Sequence, residues 1–227
     1  MNKPFVLAGL LAAATLARTA HADLIHVALN GGYSTVTMAE VNDRSDKAKK
    51  AYEASGYTAK NTPLGSGWFV AAEAGLGLMP FLDLGPRVEF LQTNTGETTA
   101  EKSGLKIDTT GDATLTSAML GANIGMDMPL TGLGFSAGLY GGYGYAVAKG
   151  STTVNGVPAG AGQLTGGGFV GELQAKLKYS VIPLVSVDLL AGIRMANVGK
   201  LKDGTIESAD PYDFSGINAG GGLTIGF

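Results

Sequence analysis
Charged residues placed at even steps inside otherwise small and apolar runs are the first chemical feature of this sequence. They are Glu73, then Arg87 and Glu89, then Glu172, Lys176 and Lys178, then Asp188 and Arg194. Even spacing puts the members of each run on one side of an extended chain. Glu73 and the Arg87/Glu89 pair flank Pro80-Phe81, so a tight turn there brings them to about one level. Across Ile182-Pro183 the same reasoning sets Asp188 level with Lys176 or Lys178, and Glu172 near Arg194. Opposite charges in a narrow interior must pair, because an unpaired buried ion costs several kcal/mol. Such a set serves either as a structural network that fills an interior or as a gated polar pathway in which charges select ions. Both readings stay open on the residues alone.

Hydrolytic chemistry usually needs a histidine base beside a nucleophile. The histidines are His21, which falls in an N-terminal leader, and His26, at one end of a predicted strand. Little else in the chain could complete a triad around His26. No metal-ligand cluster is visible. Gly166-Gly167-Gly168 and Gly220-Gly221-Gly222 lie in predicted strands and open no helix, so neither reads as a phosphate loop. The expectation is a protein that is not an enzyme and holds no cofactor or metal.

The leader has Lys3 as its positive end, an apolar run from Phe5 to Leu16, and Ala20-His21-Ala22 as an A-x-A cleavage site. Residues 1–22 are therefore predicted to be a signal peptide cut between Ala22 and Asp23, leaving 23–227 as one domain. The run is too short to span a bilayer as a helix, which takes about 20 apolar residues. With no cysteine, the chain forms no disulfide and takes no lipid on a cysteine. The formal charge is −3, and loss of Lys3 and Arg18 makes it more negative, which argues against nucleic acid as a partner. Charged residues are 15% of the chain and Gly accounts for 36 of 227 positions. Few charges, much glycine and no long apolar run after the leader exclude a helical membrane protein and admit a barrel.

Period-2 alternation of apolar with small or polar residues marks strands over 24–38, 67–79, 82–93, 114–128, 133–148, 165–180, 184–196 and 213–227. The connections alternate short and long. The tight turns are at Pro80-Phe81, Pro129–Gly132 and Ile182-Pro183, and the long polar loops are 39–66, 94–113, 149–164 and 197–212. In the first long loop Ser45 is placed to cap a short helix carrying Lys47, Lys49 and Lys50, with Gly56 as the stop. Asn155-Gly156 and Asp203-Gly204 are hairpin signals at the tips of the third and fourth loops. Pro86 has no N–H for a ladder, which predicts a bulge in its strand. Short turns on one side and long loops on the other are the pattern of an eight-stranded up-and-down transmembrane barrel, with the short turns and both termini in the periplasm.

The composition of the two faces separates a membrane barrel from a soluble one. A solvated exterior would carry many Lys and Glu. Here the non-apolar face is mostly Gly, Ala and Ser with a few charges, which suits the filled interior of an eight-stranded barrel. The apolar face has aromatics near both ends of its strands: Tyr33, Trp68, Phe90, Tyr143 and Tyr145 at one end, Phe135, Tyr179 and Phe227 at the other. These are the interface girdles of a membrane barrel. A tilted strand from Trp68 to Leu78 rises roughly 25 Å, the height of the apolar band.

The final stretch alternates Ile217, Ala219, Leu223, Ile225 and Phe227 with Gly216, Asn218, Gly220, Gly222, Thr224 and Gly226. It resembles the closing strand of bacterial outer-membrane barrels, whose assembly machinery recognises alternating apolar residues ending in Phe. Leu223, Ile225 and Phe227 are the residues that this resemblance marks as the assembly signal. Over 23–227 the chain resembles the small outer-membrane barrels of the OmpA and OmpX type, in architecture and terminal signal and not in a residue-level motif. The resemblance is to the barrel alone, and a peptidoglycan-binding domain such as follows the OmpA barrel is not expected.

That resemblance implies the cell outer membrane, lipid and lipopolysaccharide as surroundings, the barrel assembly machinery as a partner in biogenesis, and a monomer. Lys47, Lys49 and Lys50 could meet lipopolysaccharide phosphates, although charge runs are usually solvated helix faces. The leading functional expectation is a structural or surface-interaction barrel, with a filled lumen and function in its outward loops. A narrow channel or conduit for ions or small amphipathic molecules is the alternative. An outer-leaflet lipid-modifying enzyme, an activity found on barrels of this size, ranks behind both for want of residues to complete a triad around His26.

Overall fold
The computed structural model describes residues 25–128, 131–182 and 184–227. The expected signal peptide with its Ala20 and Ala22 cleavage residues, Leu24, and the turn residues Pro129, Leu130 and Pro183 lie outside the described residues. In chain order the elements are β1 (Ile25–Ser34), α1 (Ala39–Ala54), β2 (Thr58–Thr62), β3 (Gly67–Met79), β4 (Leu82–Thr93) and β5 (Gly96–Lys102). There follow β6 (Leu105–Met128), β7 (Leu133–Val154), β8 (Val157–Ile182), β9 (Val185–Asp203), β10 (Ile206–Asp213) and β11 (Gly216–Gly226).

Eight of these strands form a closed ring, β1-β3-β4-β6-β7-β8-β9-β11, in which every pairing is antiparallel. The last joins the first, with Val27 opposite Ile225 and Leu29 opposite Leu223, so no sheet edge is left in the wall. β9 shows why the wall forms where it does. Ser186, Asp188, Leu190, Arg194, Ala196 and Val198 are buried, while the intervening Val187, Leu189, Ile193 and Met195 are exposed. Apolar side chains thus point out along the ring, with Leu120 at 71% and Leu139 at 65% exposure. Water would not tolerate such a belt, but lipid does, because a closed ring satisfies every ladder donor and acceptor internally. Tyr33, Trp68, Tyr143, Tyr145, Phe135, Tyr179 and Phe227 all lie on this outer face, and Trp68 packs on Phe90 with centroids 5.4 Å apart.

The ring matches the expected strands closely in its membrane part and departs from the expectation outside it. The stretches read as loops over 39–66, 94–113, 149–164 and 197–212 are largely ordered structure. β6, β7 and β8 run on past the wall, β5 and β2 add to β6 in turn, and β10 pairs with β9. Their Thr- and Gly-rich sequence hides the alternation, since neither face there is lipid. The two hairpin tips fall as expected, at Asn155-Gly156 with φ 50° and 77°, and at Gly204 with φ 56°. The helix begins at Ala39 and not after Ser45. Met38 stands before it at φ 42° with its side chain buried in the top of the lumen, so tertiary anchoring and not a capping side chain sets the start. Ser45 lies inside α1, where its Oγ bonds Asn61 and Thr98, each at 2.8 Å.

Pro86 makes no bulge. β4 keeps one register with β6 through the Pro86–Leu120 pair, and with β3 from Glu73–Arg87 to Leu76–Leu84. The ladder to β3 is interrupted between those last pairs without slipping, which accommodates the missing N–H. The irregularity in this pair of strands falls lower, between Gly77 and Met79.

Candidate functional site
The inward residues are stacked in three levels, because each strand delivers its interior positions in order of height. Nearest the short turns, His26, Asp83, Asp127, Lys178, Asp188 and Thr224 surround a polar vestibule of about 120 Å³. Above it lies a layer of charge. Above that, Phe69, Leu91, Leu115, Val170, Leu201 and Phe214 form an apolar core inside the barrel, with Met38 lowered into it from the loop before α1.

The charged layer is built around Arg87, which has no exposed surface. Its Nη1 donates to Glu73 Oε2 at 3.3 Å, and its Nη2 reaches Glu89 Oε2 at 2.8 Å and Glu172 Oε1 at 3.3 Å. Arg194, equally buried, donates through Nη1 to Glu89 Oε1 at 2.7 Å, through Nη2 to Ser34 Oγ at 2.7 Å, and through Nε to the Phe214 carbonyl at 3.0 Å. Lys176 rises from the vestibule to donate to Glu73 Oε2 at 2.8 Å. Glu73, Glu89 and Glu172 are therefore matched by Arg87, Arg194 and Lys176, and the layer is neutral as a whole. Glu89 is its keystone, since one oxygen faces each arginine.

Neutral polar groups complete the layer. Asn123 donates to Glu73 Oε1 at 3.2 Å and accepts from the Tyr140 hydroxyl at 2.9 Å, and the Arg87 guanidinium lies 5.5 Å from the centroid of the Tyr140 ring. Ser34 Oγ donates to Asn218 Oδ1 at 2.7 Å, and Asn218 donates to Glu172 Oε1 at 3.4 Å. Asn123, Tyr140 and Asn218 fall on the non-apolar face of their alternating strands, and nothing in the sequence assigns them a role. Their even spacing was the only signal, and it says nothing of which carboxylate each one meets.

The structure brings Glu73, Arg87 and Glu89 together as the turn at Pro80 implies, and sets Asp188 level with Lys178 and Glu172 level with Arg194 as expected, but joins their charges to other partners. Glu172 and Arg194 are register neighbours on β8 and β9, yet neither is the other's ion-pair partner. Each reaches across the barrel instead, because the donor groups of Arg194 are taken by Glu89, Ser34 and the Phe214 carbonyl. Lys178 is opposite Asp188 in the ladder without a salt bridge between them, and Asp188 instead accepts from the Thr224 hydroxyl. Lys176 pairs with Glu73, not with Asp188. His26 Nδ1 stands 4.0 Å from Asp83 Oδ2 at the vestibule mouth, with no serine hydroxyl bonded to it among the described residues. Leu223, Ile225 and Phe227 are exposed on the lipid face of the seam with β1. Lys47 and Lys49 pair within their own helix, with Asp43 at 3.3 Å and Glu53 at 2.9 Å. Among the described residues no group of His, Cys, Asp and Glu is arranged to hold a metal ion.

Lys176 tests how the layer meets water. Its side chain keeps 9% exposure toward the vestibule, whereas Glu73 keeps 1%. Lys176→Met leaves Glu73 with Arg87 and Asn123, so a charged hydrogen bond is lost but the carboxylate keeps partners. The expected loss is about 1–3 kcal/mol in urea unfolding from liposomes, smaller than for Arg87. A cost above that of Arg87→Ala would show that Lys176, and not Arg87, anchors Glu73.

No family model matches the chain, and no curated protein sequence matches it. Among solved structures it is similar to Neisserial surface protein A, at 14% identity over 89% of this chain and 97% of that one, with a TM-score of 0.49. It is also similar to Ail, the attachment invasion locus protein of Yersinia pestis, at 14% identity over 88% and 98%, with a TM-score of 0.42. A third is the outer membrane protein OprG from Pseudomonas aeruginosa, at 10% identity over 89% and 96%, with a TM-score of 0.41. The class follows from the geometry described above. A closed ring of eight antiparallel strands, short turns on one side, an apolar outer belt with aromatic girdles and a polar-cored lumen make this a transmembrane β-barrel of the outer-membrane type.

Proposed function
We propose that this protein is a non-conducting surface barrel, whose working part is the ordered structure that it holds outside the membrane. What supports this reading is the presence of two seals in series within one narrow lumen. The neutral ion-pair layer closes the middle, and the apolar layer of Phe69, Leu91, Leu115, Leu201 and Phe214 closes the extracellular half. An ion crossing the first would have to displace salt bridges, and in the second it would meet a predominantly apolar lining. Beyond the membrane the chain invests in strands and a helix rather than in slack loops. Arg44 of α1 is tied to Asp210 at 2.5 Å, and Asn42 bonds Leu64 through both its amide nitrogen and its oxygen at 2.7 and 2.9 Å. Rigid presentation of this kind suits recognition at the cell surface.

Planar-bilayer recording tests the reading. The purified barrel is expected to insert without producing reproducible conductance steps. Defined steps in the wild-type protein would replace this proposal with the channel, for which the polar vestibule below Glu73 would serve as the entry.

A further inference from the structure
Above the apolar seal, α1 does not lie flat on the extended sheet but roofs a cavity of about 410 Å³. That size is at the lower end of small-molecule pockets. Its floor is the inward face of β6, β7 and β8, where Gly111, Ala148, Gly150 and Gly162 leave the backbone bare. Val41, Leu64, Leu164 and Tyr212 make its walls. The hydroxyls of Ser45, Thr62, Thr98 and Thr109 also border it. Glu97, Asp112 and Lys149 touch it too, but alternation sets their side chains on the other face of the sheet. Thr98, Ala113 and Ala148 next to them are the buried, inward residues, and Asp112 accepts from outward Gln92 at 3.3 Å. The interior is thus apolar with hydroxyl groups and carries no inward-facing charge. The roof is held in place before any ligand arrives, by the Asn42–Leu64, Ser45–Thr98 and Arg44–Asp210 contacts. Burial and the nearby Asp210 carboxylate hold the Tyr212 phenol above its usual pKa, so it stays a neutral donor at physiological pH.

We propose that this cavity is a binding site for a small, neutral, amphipathic molecule, with its apolar body against Val41, Leu64 and Leu164 and a hydroxyl or carbonyl group near Tyr212 and the threonines. A carboxylate or phosphate would enter a space with no cation to meet it, and an ammonium would find no anion. This rests on the lumen being sealed below, which makes the cavity a dead-end receptor site and not the mouth of a pore.

The test uses the full chain in lipid nanodiscs and 2-naphthol as the neutral probe, with 2-naphthalenesulfonate as its charged counterpart. Saturable one-to-one binding of 2-naphthol above that of protein-free nanodiscs is expected, with the sulfonate at least about tenfold weaker. In Gly162→Phe the new side chain starts from a position with no atom within 4 Å, so it can fill the cavity without straining the sheet. That variant is expected to keep the heat-modifiable gel mobility of the folded barrel and to bind 2-naphthol at least about tenfold more weakly. Leu164→Asp, which sets a charge in the wall, is expected to do the same. Binding no greater than in empty nanodiscs, equal binding by Gly162→Phe, or equal affinity for the sulfonate would each overturn the proposal. Failure of the seal would show separately, as conductance steps in the bilayer recording.

Discussion
Arg87→Ala is expected to destabilise the folded barrel by roughly 3–5 kcal/mol, the cost of breaking other buried ion pairs by removing one partner. The argument starts from the carboxylates that Arg87 serves. Glu73, Glu89 and Glu172 all reach it within 3.3 Å, and none of the three exceeds 1% side-chain exposure. Removing the guanidinium leaves Glu89 with Arg194 and Glu73 with Lys176, but leaves Glu172 with only the long 3.4 Å bond from Asn218. For the same reason the double change Glu73→Ala/Arg87→Ala is expected to recover little of the loss. It strands Lys176 as well and still leaves Glu172 without its cation. Urea unfolding in liposomes measures all three proteins. A cost under about 1 kcal/mol for Arg87→Ala, as at exposed pairs, would mean that water reaches the layer and that the lumen is not sealed there. Full recovery in the double variant would mean that Glu73 and Arg87 form an isolated pair, contrary to the shared network.

Phe69→Ala is expected to cost about 3–5 kcal/mol by the usual penalty for emptying a packed aromatic site, without opening the barrel to ions. Phe69 lies opposite Leu91 in the β3–β4 ladder, and both are buried, at 1% and 0% exposure, inside a wall that cannot collapse inward to fill the space. The void would face Leu115, Val170 and Phe214 and stay dry, since its lining is apolar. Below it the ion-pair layer is untouched, and two seals in series leak only when both are broken. Stability should therefore fall while bilayer recordings stay silent. Reproducible steps from Phe69→Ala alone would show that the charged layer passes ions by itself and that the apolar layer was the only gate.

The lipid-facing ring was legible in the residues because its cause is local. Each wall strand has lipid on one side and a crowded lumen on the other, so every second residue answers to a different solvent. Gly67–Met79 and Leu82–Thr93 were placed to the residue on that ground, and Asn155-Gly156 declared its turn by chemistry that needs positive φ. Outside the membrane both faces meet water or a thin layer of protein, the two solvents become alike, and the alternation of β5, β10 and the upper part of β6 fades from the sequence. The start of α1 was hidden for a related reason, since burial of Met38 set it and no capping residue did. Partner choice in the lumen was beyond reach altogether. Even spacing tells that Glu89, Glu172, Lys176 and Arg194 point inward, but not how far the sheet is sheared as it closes. That shear, with the reach of long side chains across a narrow bore, joins Arg194 to Glu89 over 105 residues and Lys176 to Glu73 over 103, and passes over the register neighbours that local reasoning would pair.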